Sequence, residues 1–376
     1  MNLAPTTLTA EERELQAAVR AYLDERLAPG TYPLGLGMAG DVDPEFSRDL
    51  GAQGWIGMAL PTEYGGGGRT AVERQIVVEE LLTRGAPVGF HWTADRQSGL
   101  NILHNGTEDQ RRSLLPGIAR GELSFAIGMS EPDAGSDLAS VRSRAVRTGD
   151  TWRVDGTKIW TSGAATATHL LCLFRTSEDR HGGLTQFIVP RETPGVTVSP
   201  IPFIDGTRHF CEVVFDAVTL PDSARLGDVG AGWGQNTSEL ALERGGVDRW
   251  MSMMPVLEHW AKSDGVRDSV AAQIDLGRIL ARLWTYRGMS LSIARLVDSG
   301  RFPVAEAALV KEMATQFEQE SLALVRRHYG RTPSLTSDDP WEALLAQAIL
   351  VGPSWTLRGG TTEILRSVIS KGLVKR

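Results

Sequence analysis

"FAIGMSEPDAGSDLASV", Phe125–Val141, is the stretch at which the chain changes its period. Upstream, apolar residues recur three and four apart; from about Leu123 to Pro221 they fall into short extended runs cut by Gly, Pro and Asp. The stretch starts as a strand, and Glu131-Pro132 then fixes a turn. Ser130, Gly135 and Ser136 supply hydroxyls and flexible backbone donors around it. A second stretch in the same region, "GTKIWTSGAAT" (156–166), sets a flat aromatic, Trp160, beside two hydroxyls, Thr161 and Ser162. Taken singly, each also reads as an ordinary loop of an antiparallel domain.

Working outward, "DTWRVDGTKIW" carries Asp155-Gly156 between extended runs, which predicts a hairpin. "HLLCLFRT", "LTQFIVP", "GVTVSPI" and "FCEVVFDAVTLP" predict four further short antiparallel strands. On the N-terminal side, "TAEERELQAAVRAYLDERLAPG" opens with Thr9 and Glu12 in capping-box spacing, then runs Leu15, Val19, Tyr22 and Leu27 down one face until Pro29-Gly30. "AVERQIVVEELLTRGA" reads as an amphipathic helix, and "GTEDQRRSLLPGIARG" repeats the cap with Thr107 and Gln110. On the C-terminal side, "QIDLGRILARLWTYRGMSLSIARLV" and "PVAEAALVKEMATQFEQESLALVRRHY" are long helical patterns, interrupted afterwards by "RTPSLTSDDPWE". Helices, strands, helices is an α+β layout: a helical domain over 1–122, a β domain over 123–226 and a helical domain over 227–376.

The 376 residues, 41% hydrophobic and 23% charged, are those of an ordinary globular chain, and a net charge of -7 gives no footprint for nucleic acid. Cys172 and Cys211 lie in strand-like apolar runs and are expected as buried free thiols. "MNLAPTTLTAEERE" lacks the basic and apolar regions of a leader, and no apolar run approaches the ~20 residues of a membrane span, so a cytoplasmic location is expected. The spacing of Cys and His supports no metal site, no GxSxG elbow is present, and no GxGxxG follows a strand. The four glycines of "GWIGMALPTEYGGGGRT" lack the Lys and spacing of a P-loop and read as a flexible turn.

"ELALERGGVDRWMSMM", Glu239–Met254, poses a question of its own. Read as one helix, it lines up Leu240, Val247, Trp250 and Met254, and Glu243 falls inside that apolar stripe. A Glu at the edge of a stripe reaches water; a Glu lining a pocket is a base whose pKa burial raises. Gly245-Gly246 also argues against an unbroken helix.

Together, "EPDAGSD" and "KIWTS" resemble the "EPxAGSD" and "K-x-W-x-T/S" elements of the acyl-CoA dehydrogenase family. "GWIGMALPTEYGGGG", "LLPGIARGELSFAIGMSEP", "LGDVGAGWGQNTSELALERG" and "GGTTEILRSVISKGL" extend the resemblance over most of the chain. It implies an N-terminal helical domain, a small antiparallel β-barrel and a C-terminal four-helix bundle that bind FAD and remove hydrogen from the α,β bond of an acyl-CoA. By residue match, Ile127, Gly128, Met129 and Ser130 with Trp160, Thr161 and Ser162 contact the flavin ring, and Gly135 and Ser136 belong to the same loop, Ser136 near the CoA or flavin phosphates. Many members carry the base in a terminal "YEGT" element; here "TLRGGTTEI" puts Gly359 at that position. A group resembling isovaleryl-CoA dehydrogenase carries it in "LER", which matches Glu243, followed by Arg244. Glu363 is the rival carboxylate, matched with Thr361 to a polar position beside the flavin, while Arg244 and Gly359 match substrate-side positions, the Gly359 amide toward the thioester oxygen.

Two family elements are missing. "PVLEHWAKSDGVRDSVAAQ" holds no "R-x-x-F-G", and "LALVRRHYGRTPSLTSDDPWE" no "Q-x-x-G-G-x-G". In the family both reach across an interface to the adenosine and pyrophosphate of a neighbour's FAD. The resemblance therefore implies half a flavin site and an α₂β₂ heterotetramer with a related chain holding two FAD. An electron-transfer flavoprotein is the implied electron acceptor. "FHWTADRQSG" resembles members that act on steroid-CoA side chains, which implies a bulky acyl group. The alternatives are a redox-inactive partner subunit that keeps the fold and an acyl-CoA oxidase.

Overall fold

The computed structural model describes residues 3–28, 32–39 and 41–374; of these, the side chains at 39 and 238–243 lie outside the description. The N-terminal third is helical: α1 (Ala10–Arg26), α2 (Pro44–Ala52), α3 (Ala71–Thr83), α4 (Gly99–Asn105) and α5 (Glu108–Ala119). The Thr9/Glu12 and Thr107/Gln110 capping boxes both form, and Thr70/Glu73 adds a third at α3. Each closes two backbone donors that the first turn leaves without helical partners. The residues buried from α1 are Glu12, Val19 and Leu23.

α3 departs from the amphipathic reading. Val72 and every residue from Gln75 to Leu82 are buried. Its two buried carboxylates are admitted by guanidinium partners: Arg287 on Glu79 at 2.6 Å, and Arg20 and Arg84 on Glu80 at 2.8 and 2.9 Å. A polar residue in a sequence pattern marks a wet face only when no such partner arrives from elsewhere in the fold.

The β region contains β1 (Phe125–Gly128), β2 (Arg144–Thr148), β3 (Thr151–Ser162), β4 (His169–Arg175), β5 (Leu184–Pro190), β6 (Val196–Pro200), β7 (Phe210–Pro221) and β8 (Arg225–Leu226). The strand order is β6-β7-β3-β2-β4-β5-β8, with β1 beside β4. Most pairs are antiparallel, but β1 runs parallel to β4, and β2 meets β4 in parallel at Arg144↔Arg175, so the sheet is mixed where an antiparallel one was expected.

The expected hairpin at Asp155-Gly156 is not a turn. β3 runs through it, and the register against β7 slips between Val154 and Gly156, which makes it a bulge. Gly156, at φ 148, lies so close to Ser143 that a Cβ there would sit 2.2 Å from its Oγ. Glycine serves close approach here, not reversal. The chain reverses one step earlier, between Thr148 and Thr151, where Gly149 adopts φ 61. The sheet encloses Trp152, Val154, Phe174, Phe187, Phe215, Cys172 and Cys211, so both thiols are buried and free as expected.

The rest is helical: α6 (Gly232–Glu243), α7 (Met254–Lys262), α8 (Asp264–Arg267), α9 (Val270–Asp298), α10 (Val304–Tyr329), α11 (Pro340–Val351) and α12 (Thr362–Val374). The single helix read over Glu239–Met254 is broken. α6 stops at Glu243, Val247–Arg249 is one tight 3₁₀ turn, and α7 starts at Met254. Gly246 is extended, at φ -74 and ψ 160, and a Cβ on Gly245 would meet Ile293 at 2.7 Å. The glycine pair ends the helix, so the stripe argument for Glu243 does not stand.

Contacts divide the chain into two compact units, 42–69 with 88–239 and 1–41 with 70–87 and 240–376. The N-terminal helices are thereby shared: α2, α4 and α5 lie with the sheet, α1 and α3 with the C-terminal helices. In the first, Leu60, Ile102, Leu115 and Ile118 pack against Phe125, Leu171 and Ile188 of the sheet. In the second, Leu8, Val72 and Ile76 pack against Leu291 and Ala294 of α9. Among the described residues no helix is long and apolar enough to cross a membrane.

Candidate active site

The unit that holds the sheet brings the two quoted stretches to one edge. Ile159 N–H of β3 donates to the Ser130 carbonyl at 2.9 Å, which joins the loop after β1 to the strand that carries Trp160. Ile127, Met129 and Ser130 are half-buried and Gly128 is buried; a Cβ on Gly128 would stand 2.7 Å from Cys172 Sγ, so only glycine lets β1 lie this close to β4. Gly135 and Ser136 are exposed on the loop that follows, with nothing within 4 Å of a Cβ at Gly135.

A second bulge, between Lys158 and Thr161, shapes the β3 side. Trp160 sits there at φ 61, a conformation that costs a side-chain-bearing residue on the order of 1–3 kcal/mol. The twist turns its indole outward, 52% exposed, edge-on to Phe210 at 6.2 Å between centroids. It turns Thr161 inward, fully buried, with its Oγ1 lacking any hydrogen-bond partner. A buried hydroxyl without a partner costs about 1–3 kcal/mol, and with no accessible surface Thr161 Oγ1 belongs to the interior, so Trp160 and Ser162 are the side chains left facing outward here. Ser162 is exposed, paired with Phe210 in the ladder.

Beneath this edge lies a pair that the sequence reading passed over, although both members are motif positions. Lys158, fully buried, donates to Glu131 Oε1 at 2.7 Å and to the Met129 carbonyl at 3.3 Å. Glu131 accepts the Arg142 and Ser143 amides at 2.6 and 3.0 Å. Burial pushes the Glu131 carboxyl up, but the Lys158 charge and the amides outweigh it and hold the group below its ordinary value.

The other unit assembles its own cluster. Glu243 is the last residue of α6, and its side chain lies outside the described residues. The next residue, Arg244, is buried and donates to the Gly359 carbonyl at 2.8 Å, 115 positions away in sequence. Gly359 and Gly360 are both left-handed, at φ 69 and 110. Lys311, buried in α10, donates to the Thr356 and Gly360 carbonyls at 3.1 and 2.8 Å. Arg358 reaches Glu318 at 3.0 Å, and Glu318 also accepts the Ser252 amide at 2.8 Å. Burial pushes the Glu318 carboxyl up. Lys311 of α10 and Arg244 just after α6 thus pin the turn that leads into α12, and the turn's own Arg358 ties it to α10. Thr361 precedes that helix and Glu363 lies exposed in its first turn, its carboxyl held below the ordinary value by its own amide and the Thr361 hydroxyl. That makes Glu363 a weak proton acceptor.

Where the family's "Q-x-x-G-G-x-G" loop was missing, the end of α10 forms a cleft of about 690 Å³. Arg326, Arg327 and Arg331 line it over Leu322, Ile349 and Pro353. Arg327 also pairs with Asp275, and Arg331 with Glu342 at 2.6 Å. Among the described residues no group of three or more His, Cys, Asp or Glu could hold a metal ion.

Family models match in two adjoining blocks, the acyl-CoA dehydrogenase N-terminal domain over residues 9–122 and the middle domain over 126–218. Acyl-CoA dehydrogenase FadE26 of Mycobacterium tuberculosis is 30% identical over 96% of this chain and 96% of its own. The solved Tcur3481-Tcur3483 steroid ACAD superposes with a TM-score of 0.88 at 30% identity, covering 100% of this chain and 99% of that one. The ChsE4-ChsE5 complex from Mycobacterium tuberculosis does so with 0.82 at 29%, covering 99% of each. With the helix–sheet–helix order, the Glu131-Lys158 edge and these full-length likenesses in agreement, this chain belongs to the acyl-CoA dehydrogenase family.

Proposed function

We propose that the chain catalyses FAD-dependent α,β-dehydrogenation of an acyl-CoA, as one subunit of an α₂β₂ heterotetramer with a related chain. The observation that carries the flavin part is the edge of the sheet: an exposed Trp160 face beside the exposed Ser162 hydroxyl, together with the half-buried Met129-Ser130 backbone, suits a flat ring with a polar rim. Ile127 to Ser130, Gly135, Ser136 and Trp160 to Ser162 would hold the ring and adjoining phosphate, with Thr361 and Glu363 beside it. When bound, the flavin supplies the acceptor for the hydride that leaves the β-carbon.

This chain's own part is the proton. Glu243 would take it from the α-carbon, and the Gly359 amide would face the thioester oxygen as negative charge develops there. Arg244 fixes the carbonyl of that same glycine, so it orients the amide's turn instead of meeting the reacting atoms. Ser136, exposed, suits the CoA phosphates. The three-domain division at 122/123 and 226/227, the cytoplasmic location, electron-transfer flavoprotein as acceptor and a bulky, steroid-derived acyl group complete the proposal. The last is supported by the likeness to a steroid ACAD.

The heterotetramer rests on the two missing family elements and on full-length likeness to the Tcur3481-Tcur3483 and ChsE4-ChsE5 proteins. A second reading is favoured by the arginine-lined cleft, whose guanidiniums would hold a pyrophosphate without the usual loop. Purifying the chain alone and weighing its bound FAD separates the two. An isolated chain that binds little FAD supports the heteromer. A stable homotetramer with one FAD per chain and full activity sinks it.

A further inference from the structure

We infer that Lys158 is a positioning residue for the flavin edge: its buried ammonium holds the Met129 carbonyl and Glu131 from below, so that the Met129-Ser130 backbone is presented in one fixed pose. This rests on the reading of that edge as the flavin site. The argument is geometric. Three consecutive loop residues are tied to β2, β3 and their approaches: Met129 by Lys158 Nζ, Ser130 by the Ile159 amide, and Glu131 by Lys158 Nζ and the Arg142 and Ser143 amides. Ser143 Oγ in turn accepts the Thr157 amide at 3.1 Å, next to the bulge at Gly156. Lys158 is the one side chain in this set that reaches both the loop backbone and its carboxylate. Its stem packs by Gly128 and its ammonium stands 5.3 Å from the Phe174 ring centroid, so neither end can follow the loop if the loop moves.

A role in folding alone makes a different forecast. If Lys158 served only to neutralise Glu131, removing both charges together would restore everything, because apolar or neutral replacement of a whole buried pair is often tolerated. If it positions the loop, the double replacement restores folding and not the pose, since the Met129 carbonyl still lacks its donor.

The test uses the full chain with riboflavin, which carries the ring without the pyrophosphate, and with FAD. Lys158→Met and Lys158→Met/Glu131→Gln are compared with the parent for flavin affinity, for the resolved shape of the bound visible band, and for amide exchange at Ile159, Arg142 and Ser143. Loss of a charge-assisted bond of this kind reads as roughly 10- to 100-fold weaker riboflavin binding and a blurred band, with faster exchange confined to those amides. The double variant is expected to melt close to the parent yet keep the weak binding. If Lys158→Met does not fold, the double variant alone carries the test. Parent-like affinity in a folded variant, or rescue of affinity by the double variant, overturns the inference while leaving the flavin reading intact. A parent chain that retains little FAD through purification is what the heteromer predicts; one that binds no riboflavin even on titration, alone or with its partner chain, overturns both.

Discussion

The edge of the sheet and the glycine turn before α12 use one device in two ways. In both, a buried cation grips loop carbonyls: Lys158 on Met129, Lys311 on Thr356 and Gly360, Arg244 on Gly359. At the sheet edge the cation and its carboxylate come from the same short region, 27 residues apart, and the loop keeps side chains that face outward. At the turn the cations arrive from α10 and from the residue after α6, and the loop itself has shed its side chains to Gly359-Gly360. The first keeps its own side chains on the loop that the cation holds. The second is bare backbone held in place, so any side chain acting there has to come from elsewhere in the chain.

The sharpest way to break that contrast is Glu243→Gln. If the turn offers only backbone, the proton acceptor is Glu243, and turnover should fall by ~10²–10⁴-fold with flavin retained. Near-parent turnover, with Glu363→Gln inactive instead, would return the chemistry to the turn region.

Glu131→Gln probes the other side. It leaves Lys158 buried without its counter-charge, a loss of about 3–5 kcal/mol for a buried pair, read as a lower denaturation midpoint. The pH dependence has a definite sign. The Glu131 carboxyl is held below its ordinary value in the folded chain, so its contribution is complete above the unfolded value and disappears as pH falls through the folded one. The parent should lose stability on that acid limb faster than Glu131→Gln does; parallel acid limbs would mean that the pair contributes nothing.

Gly359→Ala should cost about 1–2 kcal/mol, because φ 69 is left-handed and the new methyl stands 3.4 Å from Arg249 Nη1. An unchanged melting temperature would show that the turn is free to rearrange and is not pinned as described. The smallest effect is the most diagnostic. Trp160→Gly relieves a left-handed φ of 61 and should stabilise the flavin-free chain by about 1 kcal/mol, while removing aromatic packing worth roughly 0.5–1.5 kcal/mol from flavin binding. Opposite signs in melting and in affinity are the signature; a loss in both would place the indole in the core.

The same contrast explains what could be read from sequence. Caps at Thr9 and Thr107 and the strands around "HLLCLFRT" and "LTQFIVP" are set within a few residues, and they appear where the pattern put them. Asp155-Gly156 was misread because a glycine required for contact with Ser143 looks locally like one required for a turn. α3 was misread because the guanidiniums that let Glu79 and Glu80 be buried lie on other helices. The Glu131-Lys158 pair lies inside both motifs, but nothing in the local pattern shows that Lys158 is buried beneath the loop while Trp160 and Ser162 face outward. The clamp at Gly359 was out of reach, since nothing local links Arg244 to a carbonyl 115 positions on.

The two sealed cysteines have a practical consequence. Cys172 is fully buried and its thiol is pushed up to about 12, and burial raises Cys211 as well. Neither offers thiolate to an alkylating dye in the folded chain. A cysteine introduced at exposed Ala165, three residues beyond Ser162, would therefore be labelled alone, without first stripping the native thiols. The protein comes ready for a fluorophore that reports, one molecule at a time, whether the proposed flavin edge is filled.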